Sequence, residues 1–147
     1  MTVRKKLKDH HHHGDLHPSQ NNIILELIQY NGNEYHKFDD LPVDELLPNI
    51  KHGYVNWVNL DGLHDKSIIQ KIGDRFNLHQ LLLEDITSDH QPKAEEYKEY
   101  LFFTLKMLYA IKAPNIIDYE QISFVLGKDY LISFQEKDGD LFGVAHK

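Results

Sequence analysis

No cysteine occurs in this chain, which removes disulfides, thiolate metal sites and cysteine nucleophiles together. That absence fits a cytoplasmic location. No apolar run approaches the ~18 residues a membrane-crossing helix needs. The basic start is followed by polar and histidine-rich residues, so it is not a secretory signal. As given, the chain reads as soluble. Glycines are few and scattered: Gly53, Gly62 and Gly73 read as turn or helix residues, and no glycine-rich phosphate loop follows a strand. None of Ser67, Ser88, Ser123 and Ser133 sits in a Gly-x-Ser-x-Gly turn. His64 and His79 stand at predicted helix starts, where capping is the plainer reading. With no set of nucleophile, base and stabiliser, the chain is not read as an enzyme.

Positive charge is also in deficit. Lys and Arg number 16 against 23 Asp and Glu, a net charge of −7 with His neutral. Residues 1–20 hold Arg4, Lys5, Lys6 and Lys8 against Asp9 and Asp15, a net of +2, so the remainder carries −9. Such a body repels nucleic-acid phosphates and concentrates cations at its surface. Nucleic acid is therefore excluded as a partner, and divalent cations are favoured.

What is present suits one domain. The 147 residues are 41% hydrophobic and 27% charged, enough for a single core. Residues 1–20 show no apolar periodicity and read as a basic, His-rich tail. Ile23 to Tyr30 reads as a strand covered on both faces. Asn31-Gly32 then suits a type I′ turn, returning through Glu34–Phe38. Asp40 to Leu47 reads as a short helix, with Asp40 or Leu41 at its cap and Pro42 in the first turn. Tyr54 to Leu60 is the next strand. From Asp65, Ile68, Ile69, Ile72 and Phe76 form one helical stripe. Leu81-Leu82-Leu83 reads as the buried side of a second helix ending near Ile86. Tyr97 to Ile111 has strand spacing, with Leu101, Phe103, Leu105 and Met107 on one face and Phe102, Thr104 and Lys106 on the other. Asn115 and Asp118 mark a loop; Tyr119–Leu126 and Tyr130–Gln135 form a hairpin. The expected fold is α/β, or α+β layered, with a mixed β-sheet flanked by helices.

Two places could meet a metal. His10, His11, His12 and His13, with His17 and Asp15, could catch a transition metal through imidazole nitrogen, although a tail without fixed geometry binds only adventitiously. Glu84 and Asp85 suit a hard cation such as Mg²⁺. Neighbours on a helix point roughly 100° apart, however, so the pair cannot by itself chelate one bare ion. It is either a solvated helix end or half of a site completed by another surface.

The segments Trp57-Val58-Asn59-Leu60-Asp61-Gly62, Leu83-Glu84-Asp85-Ile86 and Gln91-Pro92-Lys93 resemble the cytoplasmic domain of CorA-type magnesium and cobalt transporters. Tyr100 to Met107, Glu120 to Leu126, Phe134 to Lys137 and Gly139-Asp140-Leu141-Phe142 continue the likeness in order, which covers roughly residues 22–142. The resemblance implies a mixed sheet between helical layers, assembling as a pentamer on the cytoplasmic side of the cell (inner) membrane. It further implies that Asp85 faces a neighbouring subunit and shares a regulatory Mg²⁺ with an acid on a stalk helix, with Glu84 as a second contributor. Co²⁺ or Zn²⁺ are the other ions it suggests. The family's usual Gln-Arg-Pro-Lys is here Gln91-Pro92-Lys93, without the arginine.

The reading that follows is the divalent-cation-sensing domain of a CorA-like Mg²⁺/Co²⁺ transporter without its pore. Residues 1–20 are its tail, 21–142 its domain, and 143–147 a junction to an absent stalk helix and membrane region. The alternatives are the related zinc-transporter branch and a free-standing cation-binding or interaction module.

Overall fold

Alternation decides the first element. In β1 (Ile24–Tyr30), Leu25, Leu27 and Gln29 are buried on one face while Ile24, Glu26, Ile28 and Tyr30 point the other way. The structure is a computed structural model and describes residues 22–113 and 116–136, at 109–118 by backbone alone. The histidine tract and Gly139 to Phe142 lie outside the described residues.

β1 pairs antiparallel with β2 (Tyr35–Phe38), Tyr30 opposite Tyr35. That register leaves residues 31–34 in the loop, and neither Asn31 nor Gly32 has a positive φ, so the expected type I′ turn does not form. Instead, the Asn31 side chain accepts from the N–H groups of Asn33 and Glu34, both at 2.8 Å. The asparagine closes the loop through its side chain rather than through a left-handed backbone.

The first helix, α1 (Val43–Leu46), has Pro42 at its N-cap with no side-chain cap, so neither Asp40 nor Leu41 fills that place. It runs into a 3₁₀ turn, Leu47–Asn49. β3 (Val55–Asp61) lies antiparallel to β1 and parallel to β7 (Tyr130–Gln135). α2 (Lys66–Phe76) starts at Asp65, whose carboxylate accepts from the Ser67 N–H and hydroxyl, and ends at Asn77 in the left-handed region (φ 59°). The cap is thus Asp65 and not His64. His79 does cap α3 (Gln80–Ile86), its Nδ1 accepting from the Leu81 N–H at 3.1 Å.

Of the three leucines in α3, only Leu82 and Leu83 are buried; Leu81 is 62% exposed, contrary to the expectation of one buried side. Three successive residues sweep roughly 200° of a helix, and only two fit against the core. Gly73 lets the two helices meet: a Cβ there would stand 2.5 Å from Leu83 Cδ1.

A short strand not foreseen in the sequence, β4 (Ala94–Glu96), forms the edge beside β5 (Leu101–Ala113). β6 (Ile116–Leu126) pairs with β5 and β7, and Asp118 pairs with Ala110 inside the ladder instead of marking a loop. The sheet order is β2-β1-β3-β7-β6-β5-β4. Its one parallel contact, β3 with β7, makes it mixed. Leu27, Val58, Leu60, Ile132, Phe134, Val125 and Phe102 share the face that packs on Leu46, Ile69, Ile72, Leu82 and Ile86. Among the described residues, the helical layer covers that face alone. On the other, Tyr30, Val55, Trp57, Leu105, Met107 and Leu126 are exposed.

Candidate cation site at the end of the third helix

Asp85 sits in the last turn of α3, where the chain turns back toward the sheet. Its carbonyl accepts from the Ser88 N–H at 3.2 Å, and His90 Nε2 lies 3.3 Å away. Beyond the helix the loop is tied to two strands. Gln121 of β6 donates to the Ser88 carbonyl (2.9 Å) and accepts from the His90 N–H (3.4 Å). The Lys93 N–H donates to Thr104 Oγ1 (3.2 Å), and its carbonyl accepts from the Thr104 N–H (2.9 Å). These bonds return Lys93 to the flank of Asp85.

Lys93 Nζ donates to Asp85 Oδ2 at 2.5 Å and lies 3.3 Å from Glu95 Oε2. The three side chains are partly open to water, at 29% for Asp85, 32% for Lys93 and 40% for Glu95. Asp85 holds the Lys93 amine above its ordinary range; burial opposes this and Glu95 adds to it. The other oxygen of Glu95 accepts from the Tyr97 hydroxyl at 3.3 Å.

Glu84 points elsewhere, as its place one residue before Asp85 requires. It is exposed and lines a cleft of about 100 Å³ with Lys66, Gln70, Gln80 and Thr87. The structure therefore sets Glu84 toward α2 and Asp85 toward β4. Among the described residues no group of three or more His, Asp or Glu gathers as for a metal.

One residue beyond Ser88, Asp89 accepts from Lys106 Nζ and from the Tyr119 hydroxyl, both at 2.8 Å. Lys106 holds its carboxyl below the usual range; burial opposes and Tyr119 assists. The loop's acids are thus matched from within the chain, Asp89 firmly and Asp85 by a flexible lysine.

Chemically, Asp85 and Glu95 present hard oxygen donors on either side of one cationic nitrogen. Oxygen donors of this kind fit Mg²⁺, which keeps several waters and takes one or two carboxylates. The ammonium stands in for a cation here. Sequence reasoning named Asp85 but neither Lys93 nor Glu95, because their proximity comes from the β4–β5 pairing and not from helical spacing. The only signal was a lysine two residues before an acid, Lys93-Ala94-Glu95.

The sequence model of a family described as "CorA-like Mg2+ transporter protein" matches residues 52–147. The chain is 36% identical over 119 residues to the cobalt/magnesium transport protein CorA of Thermotoga maritima, an alignment spanning 80% of this chain. It spans only 34% of that relative's length. By fold it resembles the complete structure of the CorA magnesium transporter from Methanocaldococcus jannaschii, with TM-score 0.51 and 12% identity over 74% of this chain and 31% of that one. It also resembles the full-length CmaX protein, with TM-score 0.57 and 12% identity over 82% of this chain and 37% of that one. At such identities the two structures speak for the fold alone. Asp85, Lys93 and Glu95 all fall inside the matched residues.

Proposed function

Because the chain belongs to the CorA-like Mg²⁺ transporter family, we propose that it is the cytoplasmic, divalent-cation-sensing part of a Mg²⁺/Co²⁺ transporter. On this proposal residues 21–142 form the sensing domain, and the pore belongs to a longer polypeptide. Spanning 34% of the Thermotoga relative supports this division. So does the finding that no helix among the described residues is long and apolar enough to cross a membrane. The apolar sheet face around Trp57 and Met107 supports burial against further parts of that polypeptide.

The observation that carries the sensing role is Asp85, a partly exposed carboxylate at a helix end whose side chain meets a single lysine. It supplies one carboxylate and leaves the rest of a coordination shell to water and to a second surface. Across a subunit interface such acids repel one another until a cation bridges them. A bound ion then favours the tightly packed assembly, a population shift by differential binding. Self-association, with the pentamer the resemblance implies, is part of the proposal. The relative, a cobalt/magnesium transport protein, favours Mg²⁺ and Co²⁺ over Zn²⁺.

Uptake by the intact protein tests this. Vesicles carrying the complete polypeptide should admit Co²⁺, and Mg²⁺ trapped on the side of this domain should slow that uptake. Asp85→Ala should keep uptake and weaken the slowing by about tenfold in the Mg²⁺ required, ~1.4 kcal/mol of lost differential binding. Slowing that is identical in Asp85→Ala would contradict the role given to Asp85.

A further inference from the structure

We propose that Lys93 is a built-in competitor for the cation at Asp85, and that Glu95 is the anchor to which its ammonium withdraws when a divalent ion binds. The inference rests on Asp85 being a cation-binding residue and adds how that binding is regulated.

Three observations carry it. First, the ammonium already fills the position a cation would take, 2.5 Å from Asp85 Oδ2. An ion bound directly to that oxygen at ~2.1 Å would lie within a few Å of Nζ, where two like charges repel strongly. Occupancy by the ion and by Lys93 is therefore mutually exclusive. Second, the lysine has somewhere to go. Glu95 Oε2 is 3.3 Å away, and Tyr97 holds the opposite carboxylate oxygen, aiming Oε2 at the amine. Third, the exchange needs no loop movement. Both backbone groups of Lys93 are bonded to Thr104, so its stem is fixed while its head, 32% exposed, is free to change rotamer.

This arrangement lowers the affinity of Asp85 by the fraction of time Lys93 holds it, so the site fills only at higher ion concentration. It also discriminates by charge. A monovalent cation offers Asp85 no more than the ammonium already does, whereas a divalent ion does. The missing contact is the second surface, so the ion retains most of its water in the isolated chain.

The test is Mn²⁺ binding to the 147-residue chain with His10, His11, His12, His13 and His17 replaced by alanine in every sample, so that the tract takes up no Mn²⁺. Binding is read from the resonance signal of free Mn²⁺, with melting curves to verify folding. Lys93→Met should tighten binding about fivefold, the upper end for an exposed ion pair. Lys93→Arg should give no tightening. Lys71→Met removes the same charge from the Lys71–Asp44 pair (3.0 Å) and should leave the affinity within about twofold. Titration of the wild type with Mg²⁺ should move the Lys93 side-chain amine resonance. If Asp85→Asn weakens Mn²⁺ binding but Lys93→Met does not tighten it, competition is overturned and Asp85 stands. If Asp85→Asn leaves the affinity unchanged, the reading of Asp85 falls and the competition with it.

Discussion

At the scale of the residue, a carboxylate acquires meaning from what neutralises it. Asp85 and Asp89 are four positions apart, yet Asp89 is clamped by both Lys106 and Tyr119 while Asp85 meets the partly exposed head of Lys93. Lysine and tyrosine together hold Asp89 in place; one long side chain, partly open to water, is matched to Asp85. Gly73 matters in a different way. It is buried in α2 against Leu83 of α3, and a methyl group would reach within 2.9 Å of both Leu83 methyl carbons. Gly73→Ala gains ~1 kcal/mol of helix propensity but overpacks a filled contact at a cost of ~1–3 kcal/mol. The expected outcome is a net loss of about 1 kcal/mol in urea unfolding; a stabilised variant would show that α2 and α3 have room to part.

Among the elements, the loop from Thr87 to Lys93 is what brings Lys93 back to Asp85, and its strength depends on pH through Asp89. Asp89 titrates below its ordinary value of 3.8 because Lys106 and Tyr119 favour the charged form. A depressed carboxyl contributes stability that is present above pH ~3.8 and is lost as pH falls through its folded value. With partly exposed partners the contribution is modest, under ~1 kcal/mol. Asp89→Asn should therefore lower the melting temperature at pH 7 and make no difference near pH 2; an equal deficit at both would contradict the clamp. Most of these elements could be read from the sequence. Most strands followed from alternation, and α2 from the Ile68-Ile69-Ile72-Phe76 stripe, although its cap proved to be Asp65 where capping had been expected of His64. What could not be read has physical causes. Asn31 used its side chain where a backbone turn was expected, and the pattern Asn-Gly fits both. β4 is three residues long, too short for alternation to show. Leu81 looked buried because composition does not reveal how wide a face the core can accept.

For the whole molecule, the sheet has a helical layer on one face and an apolar face turned outward, with Asp85 at the rim where α3 meets the edge strands. Seen from the sequence, Asp85 was half of a metal site by resemblance. Tertiary pairing adds that Asp85 meets the Lys93 ammonium, which no spacing rule could show because Lys93 and Glu95 arrive through β-sheet register. The central claim is that a divalent ion at Asp85 tightens an assembly of the intact transporter. Limited proteolysis of that intact protein across a Mg²⁺ titration tests it most directly. Mg²⁺ should slow cleavage of the wild type, and Asp85→Ala should need about tenfold more Mg²⁺ for the same protection, ~1.4 kcal/mol. Protection curves that coincide for the two proteins would contradict it.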